Sequence, residues 1–68
     1  MKLTLDVEQE ADGRWIAEVP GLPGAVAYGG TRQEAVAQAE ALAFRVLAER
    51  IENGETIPQI PMIFAVAS

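Results

Sequence analysis

Four acidic residues near the N-terminus have the spacing that could bring carboxylates together around a divalent cation. Asp6, Glu8 and Glu10 occupy alternate positions, and Asp12 follows two residues later. Alternate residues of a strand project from the same face, and clustered carboxylates are ligands for divalent cations in phosphoryl chemistry. The same spacing is typical of any strand with one solvent-facing side. We favour a solvated acidic face, and a metal-dependent nuclease using Asp6, Glu8 and Asp12 is the less favoured alternative.

The remaining composition offers little catalytic chemistry. The chain contains no Cys and no His, which excludes disulfides and thiol nucleophiles and removes the commonest general base. Gly29-Gly30-Thr31 lacks the spacing of a phosphate-binding loop, so we interpret Thr31 as a helix cap. We therefore expect a protein that is not an enzyme and that needs no metal or other cofactor.

The charge balance limits the class of partner. Ten acidic residues against five basic ones give a formal net charge of −5, which is the wrong sign for binding phosphate backbones. No apolar run near the N-terminus is long enough for a signal peptide or a membrane helix. We expect one domain over residues 1–68, located in the cytoplasm, without membrane or direct nucleic-acid binding.

Alternating apolar and polar residues predict the first part of the fold. The alternation from Lys2 to Glu10 indicates one strand, and that from Arg14 to Val19 indicates a second. Asp12-Gly13 between them is typical of a hairpin turn. Two Pro-Gly pairs in residues 20–24 predict a corner, after which Ala25 to Tyr28 form a short third strand.

A helix and a last strand complete the predicted fold. Thr31 and Glu34 form a capping-box pattern that starts a helix near Arg32, and Asn53-Gly54 ends it. The apolar run from Met62 to Ala67 indicates a strand buried on both faces. The predicted class is α+β with the order β-β-β-α-β, a small antiparallel sheet with one helix packed on it.

The apolar residues of the helix fall on two strips. The strip expected to face the sheet contains Ala35, Val36, Ala39, Leu42, Ala43, Val46 and Leu47. Of its members, Leu42 and Val46 are predicted to form the core together with Trp15. The second strip exceeds what one sheet can cover, which predicts a homodimer or a higher homo-oligomer. The predicted interface residues are Phe44 and Ile51 of this second strip, together with Met62, Phe64 and Val66 of the last predicted strand.

A combination of motifs over nearly the whole chain resembles a known family. The segment from Asp12 to Gly24 joins an Asp-Gly turn to a Pro-Gly-Leu-Pro-Gly corner, and Gly30-Thr31 and Glu34-Ala35 start the helix. Gly54 and Ile57-Pro58 continue the pattern after the helix. Together they resemble the N-terminal domain of HicB-like antitoxins. The resemblance implies a β-β-β-α-β domain akin to a partial ribonuclease H fold without its catalytic carboxylates. Many members continue into a DNA-binding segment, and we expect none in this sequence.

The resemblance also implies a function and a partner. HicB-like antitoxins bind and neutralise a small basic HicA-type mRNA interferase, and complementary charge would favour that encounter. Asp6, Glu8 and Glu10 are the candidate partner-binding residues. A stand-alone oligomeric HicB-like domain with an unknown ligand is the alternative. Both hypotheses describe a binding module without catalytic activity.

Overall fold

A computed structural model describes residues 3–55 and Ala67. Three strands, β1 (Asp6–Gln9), β2 (Trp15–Glu18) and β3 (Val26–Gly29), precede one helix, α1 (Arg32–Glu52). The strands form an antiparallel sheet in the order β1-β2-β3, and α1 packs on one face of it. The predicted α+β class is confirmed with the order β-β-β-α. The predicted last strand, apart from Ala67, lies outside the described residues. Within residues 3–55, no helix is long and apolar enough to cross a membrane.

The first strand is shorter than the alternation predicts. Asp6 pairs with Glu18 at the end of the β1–β2 ladder, and in the same register Thr4 would face Pro20. Proline has no backbone N–H to donate, so the ladder stops at Asp6. Leu3 and Leu5 precede β1 and are half-buried, and both pack against the core.

The hairpin between β1 and β2 forms at the predicted Asp-Gly pair. The Gly13 amide donates to the Glu10 carbonyl at 3.0 Å, and the Glu10 amide donates to the Arg14 carbonyl at 2.7 Å. Gly13 has a φ of 92°, a conformation in which a β-carbon is strained. The predicted turn is therefore confirmed.

The corner between β2 and β3 consists of two successive turns. The Leu22 amide donates to the Val19 carbonyl at 2.9 Å, and the Ala25 amide donates to the Leu22 carbonyl at 3.0 Å. Pro20 and Pro23 occupy the second position of each turn, where a fixed φ is favourable. Leu22 lies between the turns and is only 2% exposed. The corner thus contributes a core residue as well as a change of direction.

Both ends of α1 follow the predicted capping chemistry. The Thr31 hydroxyl oxygen accepts from the Glu34 amide at 3.1 Å, and the Glu34 carboxylate accepts from the Gly30 amide at 3.0 Å. The carboxylate therefore binds one residue before the cap, a variant of the usual reciprocal pair. At the other end, the Asn53 amide donates to the Glu49 carbonyl, and Gly54 has a φ of 78°.

Small side chains hold the helix close to the sheet. One core cluster contains Ala17 of β2 with Ala35 and Ala39 of α1. The other gathers the larger core residues around the corner: Val19, Leu22, Ala25, Ala43 and Leu47. Alanine allows close approach of helix and sheet, so the core is thin and its few large residues matter most.

The core differs from the prediction at Leu42. Trp15 and Val46 are half-buried and pack against the two clusters, whereas Leu42 is half-buried and belongs to neither cluster among the described residues. Adjacent helical residues point about 100° apart, and Ala43 takes the inward direction at this level. Among the residues that the structure describes, Leu42 therefore does not take its predicted place in the core between helix and sheet.

Candidate partner-binding face

The sheet face opposite α1 carries the predicted acidic residues. Ala17 is buried against the helix, so its neighbours Ile16 and Glu18 point to the opposite side. The strand register places Asp6 opposite Glu18 and Glu8 opposite Ile16. Asp6 and Glu8 therefore share this surface, which we call the outer sheet face.

The structure adds Glu18 to the acidic group. Residues directly opposite in an antiparallel pair have β-carbons about 4.5–5.5 Å apart, and like charges there are destabilising. Asp6 and Glu18 form such a pair. Sequence reasoning gave Glu18 no role, although its alternation with Ala17 and Val19 already placed it on the solvent side. Only the register could reveal that it faces Asp6.

The hairpin end of the outer sheet face is less negative. The Arg14 guanidinium binds the Asp12 carboxylate at 2.8 Å, and the Arg14 amide donates to the same carboxylate at 3.1 Å. That amide and then the guanidinium lower the pKa of Asp12. Glu10 pairs with Arg14 through its backbone amide, and it lines the same groove as Asp6 and Glu8. Among residues 3–55, the Arg14–Asp12 pair is the only salt bridge, so Asp6, Glu8 and Glu18 form none there. Arg32 of α1 lines the same groove as these three carboxylates.

The other half of the outer sheet face is apolar. Tyr28 lies opposite Ile16, and Val26 lies opposite Glu18. Val26 is 41% exposed and Tyr28 is 49% exposed, and the Arg14 guanidinium lies 4.9 Å from the centre of the Tyr28 ring. A shallow groove of about 480 Å³ runs along the acidic half. The face can therefore combine charge attraction with burial of apolar surface.

The carboxylates do not converge as a metal site would require. In the part of the chain that the structure describes, no three acidic side chains form a group that could hold a metal ion. Asp6 and Glu8 lie along the strand, whereas Asp12 is in the hairpin and bonded to Arg14. The arrangement offers a charged surface rather than a coordination shell.

Two of the predicted self-association residues lie on α1 and not on the outer sheet face. Phe44 is 68% exposed and Ile51 is 46% exposed, both on α1. Neither is among the helix residues buried against the sheet. Met62, Phe64 and Val66 lie outside the described residues. The structure thus separates a helix surface from the outer sheet face.

No family model matches the chain, and no match was found among the curated proteins or the solved structures.

Proposed function

We propose that the protein is a non-catalytic binding module that neutralises a small basic ribonuclease of the HicA type, as an antitoxin does. The observation that carries this proposal is the outer sheet face, where the carboxylates of Asp6, Glu8 and Glu18 adjoin exposed Val26 and Tyr28. The motif resemblance supplies the class of partner. The proposal places this activity in the cytoplasm, where mRNA is the toxin's substrate.

Charge supports a basic partner. The chain carries a net charge of −5, and the carboxylates of Asp6, Glu8 and Glu18 lie together on one face. A ribonuclease that binds RNA phosphates presents Lys and Arg side chains on its surface. Long-range attraction between such surfaces accelerates encounter and selects the orientation.

The apolar half of the face supports a stable complex. Charged pairs at the edge of an interface act mainly on the association rate, whereas buried apolar and aromatic contacts slow dissociation. Ile16, Val26 and Tyr28 lie beside the carboxylates on neighbouring strands. A partner that docks on both halves would cover its own RNA-binding surface, which accounts for inhibition without catalysis.

The test removes the negative charge of this face. In Asp6→Asn/Glu8→Gln/Glu18→Gln the net charge changes from −5 to −2, because three carboxylates become amides. The partner to be tested is a small basic protein of the HicA type encoded beside this gene, and the absence of such a gene would itself count against the proposal. The measurement is the partner's association and dissociation rates against salt concentration. We expect association to slow several-fold at low salt. The difference should shrink as the Debye length falls to about 8 Å at physiological ionic strength.

A matched control carries the same charge change elsewhere. Glu40→Gln/Glu49→Gln/Glu55→Gln also has a net charge of −2, and its three substitutions lie on or just after α1. We expect this control to associate nearly as fast as the unmodified protein and to rescue growth against the toxin. Equal slowing in both variants would show that only total charge matters. Failure of the unmodified protein to bind or rescue would refute the antitoxin function.

A further inference from the structure

The helix presents a second apolar line, distinct from the residues that face the sheet. Its members follow one another at spacings of four, three, four and three residues, and all are exposed: Ala37, Ala41, Phe44, Ala48 and Ile51. This spacing is the alternation by which two helices pack side by side. We call these five residues the helix seam. The sheet-facing residues form another line, from Ala35 to Leu47.

The composition of the helix seam suits a second helix. Phe44 and Ile51 supply the large side chains, and both are substantially exposed, at 68% and 46%. Alanines between them permit a short distance between helix axes. A large exposed aromatic flanked by small apolar residues marks an interaction surface rather than a solvated one.

Charges beside the helix seam indicate what covers it. Arg45 and Glu52 are seven residues apart, and so lie on the same flank of the seam. A two-fold axis near Ala48 would place Arg45 against Glu52 of a second copy, and the reverse pair would form by symmetry. The same axis places Phe44 beside Ile51 of the second copy.

We propose that the helix seam is a self-association surface on which a second copy of this chain packs in the antiparallel direction. This inference is independent of the antitoxin proposal, because it concerns the opposite side of the molecule. Antiparallel packing also opposes the two helix dipoles, which is favourable.

Two alternatives explain less of the surface. In a parallel pair, Arg45 would face Glu40 of the second copy, and Glu52 would face Leu47 and gain no charge partner. The chain's own residues 56–68 contain no charged side chain, so they would leave both Arg45 and Glu52 without complement. An antiparallel second copy gives both Arg45 and Glu52 an oppositely charged partner.

The first experiment measures mass by sedimentation equilibrium over the micromolar range. The unmodified protein should show twice the mass of one chain. Phe44→Ser should raise the dimer dissociation constant by about tenfold or more, since a central aromatic is worth more than about 1.4 kcal/mol in an interface. Val26→Ser is the control, because Val26 is exposed to 41% but lies on the outer sheet face, and it should leave the mass unchanged.

The second experiment tests the direction of packing. Arg45→Glu and Glu52→Arg should each weaken the dimer, because each sets like charges opposite one another. The double variant Arg45→Glu/Glu52→Arg should restore it. Parallel packing predicts that Glu52→Arg has little effect and that the double variant stays weakened, which would overturn the antiparallel arrangement.

Two results would overturn the self-association itself. One is a monomer at every concentration. The other is a Phe44→Ser variant with unchanged mass but a lower free energy of unfolding at all protein concentrations, which would mean that the chain covers its own helix seam.

Discussion

Gly29 shows how one residue sets the distance between strand and helix. A β-carbon at this position would lie 2.5 Å from the backbone nitrogen of Ala35 and 2.8 Å from the β-carbon of Glu34. Such contacts are impossible without movement of α1. The absence of a side chain, rather than an unusual backbone angle, is what this position requires.

We therefore expect Gly29→Ala to lower the free energy of unfolding by about 1–3 kcal/mol, the usual cost of overpacking. Chemical denaturation monitored by Trp15 fluorescence measures it. Gly21→Ala is the matched control, because nothing lies within 4 Å of the added carbon and its φ is not positive. The control should be neutral or slightly more stable, since alanine restricts the unfolded chain. Equal stability of the two variants would contradict the close approach at Gly29.

At the scale of elements, the helix is positioned by its last buried turn as much as by its cap. Leu47 is 3% exposed and packs with Val19, Leu22 and Ala43. It is the only large side chain that α1 contributes to the buried clusters among the described residues, since the others are alanines. The corner residue Leu22 meets it from the sheet side.

Truncating Leu47 and Leu42 in turn distinguishes the observed core from the predicted one. Leu47→Ala should cost about 2–5 kcal/mol, as expected for a buried leucine that leaves a cavity. Leu42→Ala should cost clearly less, because Leu42 is half-buried and outside both clusters. Both are leucine-to-alanine changes in one helix, so differences in helix propensity cancel. Denaturation midpoints measure the two costs. A larger loss of stability in Leu42→Ala than in Leu47→Ala would show that Leu42 belongs to the core.

At the scale of the whole molecule, the two proposed surfaces lie on opposite sides. The outer sheet face is separated from the helix seam by the sheet and the alanine-rich core. Distant sites with no shared partners behave additively. A dimer would therefore present two partner-binding faces directed away from its own interface.

This separation predicts that self-association and partner binding are independent. Phe44→Ser should leave the association rate with the basic partner unchanged per chain, measured at a protein concentration where the variant is monomeric. Asp6→Asn/Glu8→Gln/Glu18→Gln should likewise keep the dimer dissociation constant. Loss of partner binding in Phe44→Ser would show instead that the partner contacts the helix or requires the dimer.

Local chemistry allowed much of this fold to be predicted from the sequence. The Asp12-Gly13 turn, the Pro-Gly corner and the Thr31 cap depend on residues a few positions apart. Their backbone preferences and short-range hydrogen bonds act without the rest of the chain. The acidic side of β1 could likewise be predicted from the sequence, because alternation alone puts Asp6 and Glu8 on one face.

Only the tertiary structure decided which apolar residues are buried and which charges meet. Leu22 and Leu42 are the same residue type, yet the double turn buries Leu22, while the packing angle of α1 turns Leu42 to the side. Glu18 joins Asp6 because of the strand register. Burial and cross-strand contact depend on residues distant in sequence, so the periodicity of one segment can indicate a face but cannot determine what lies against it.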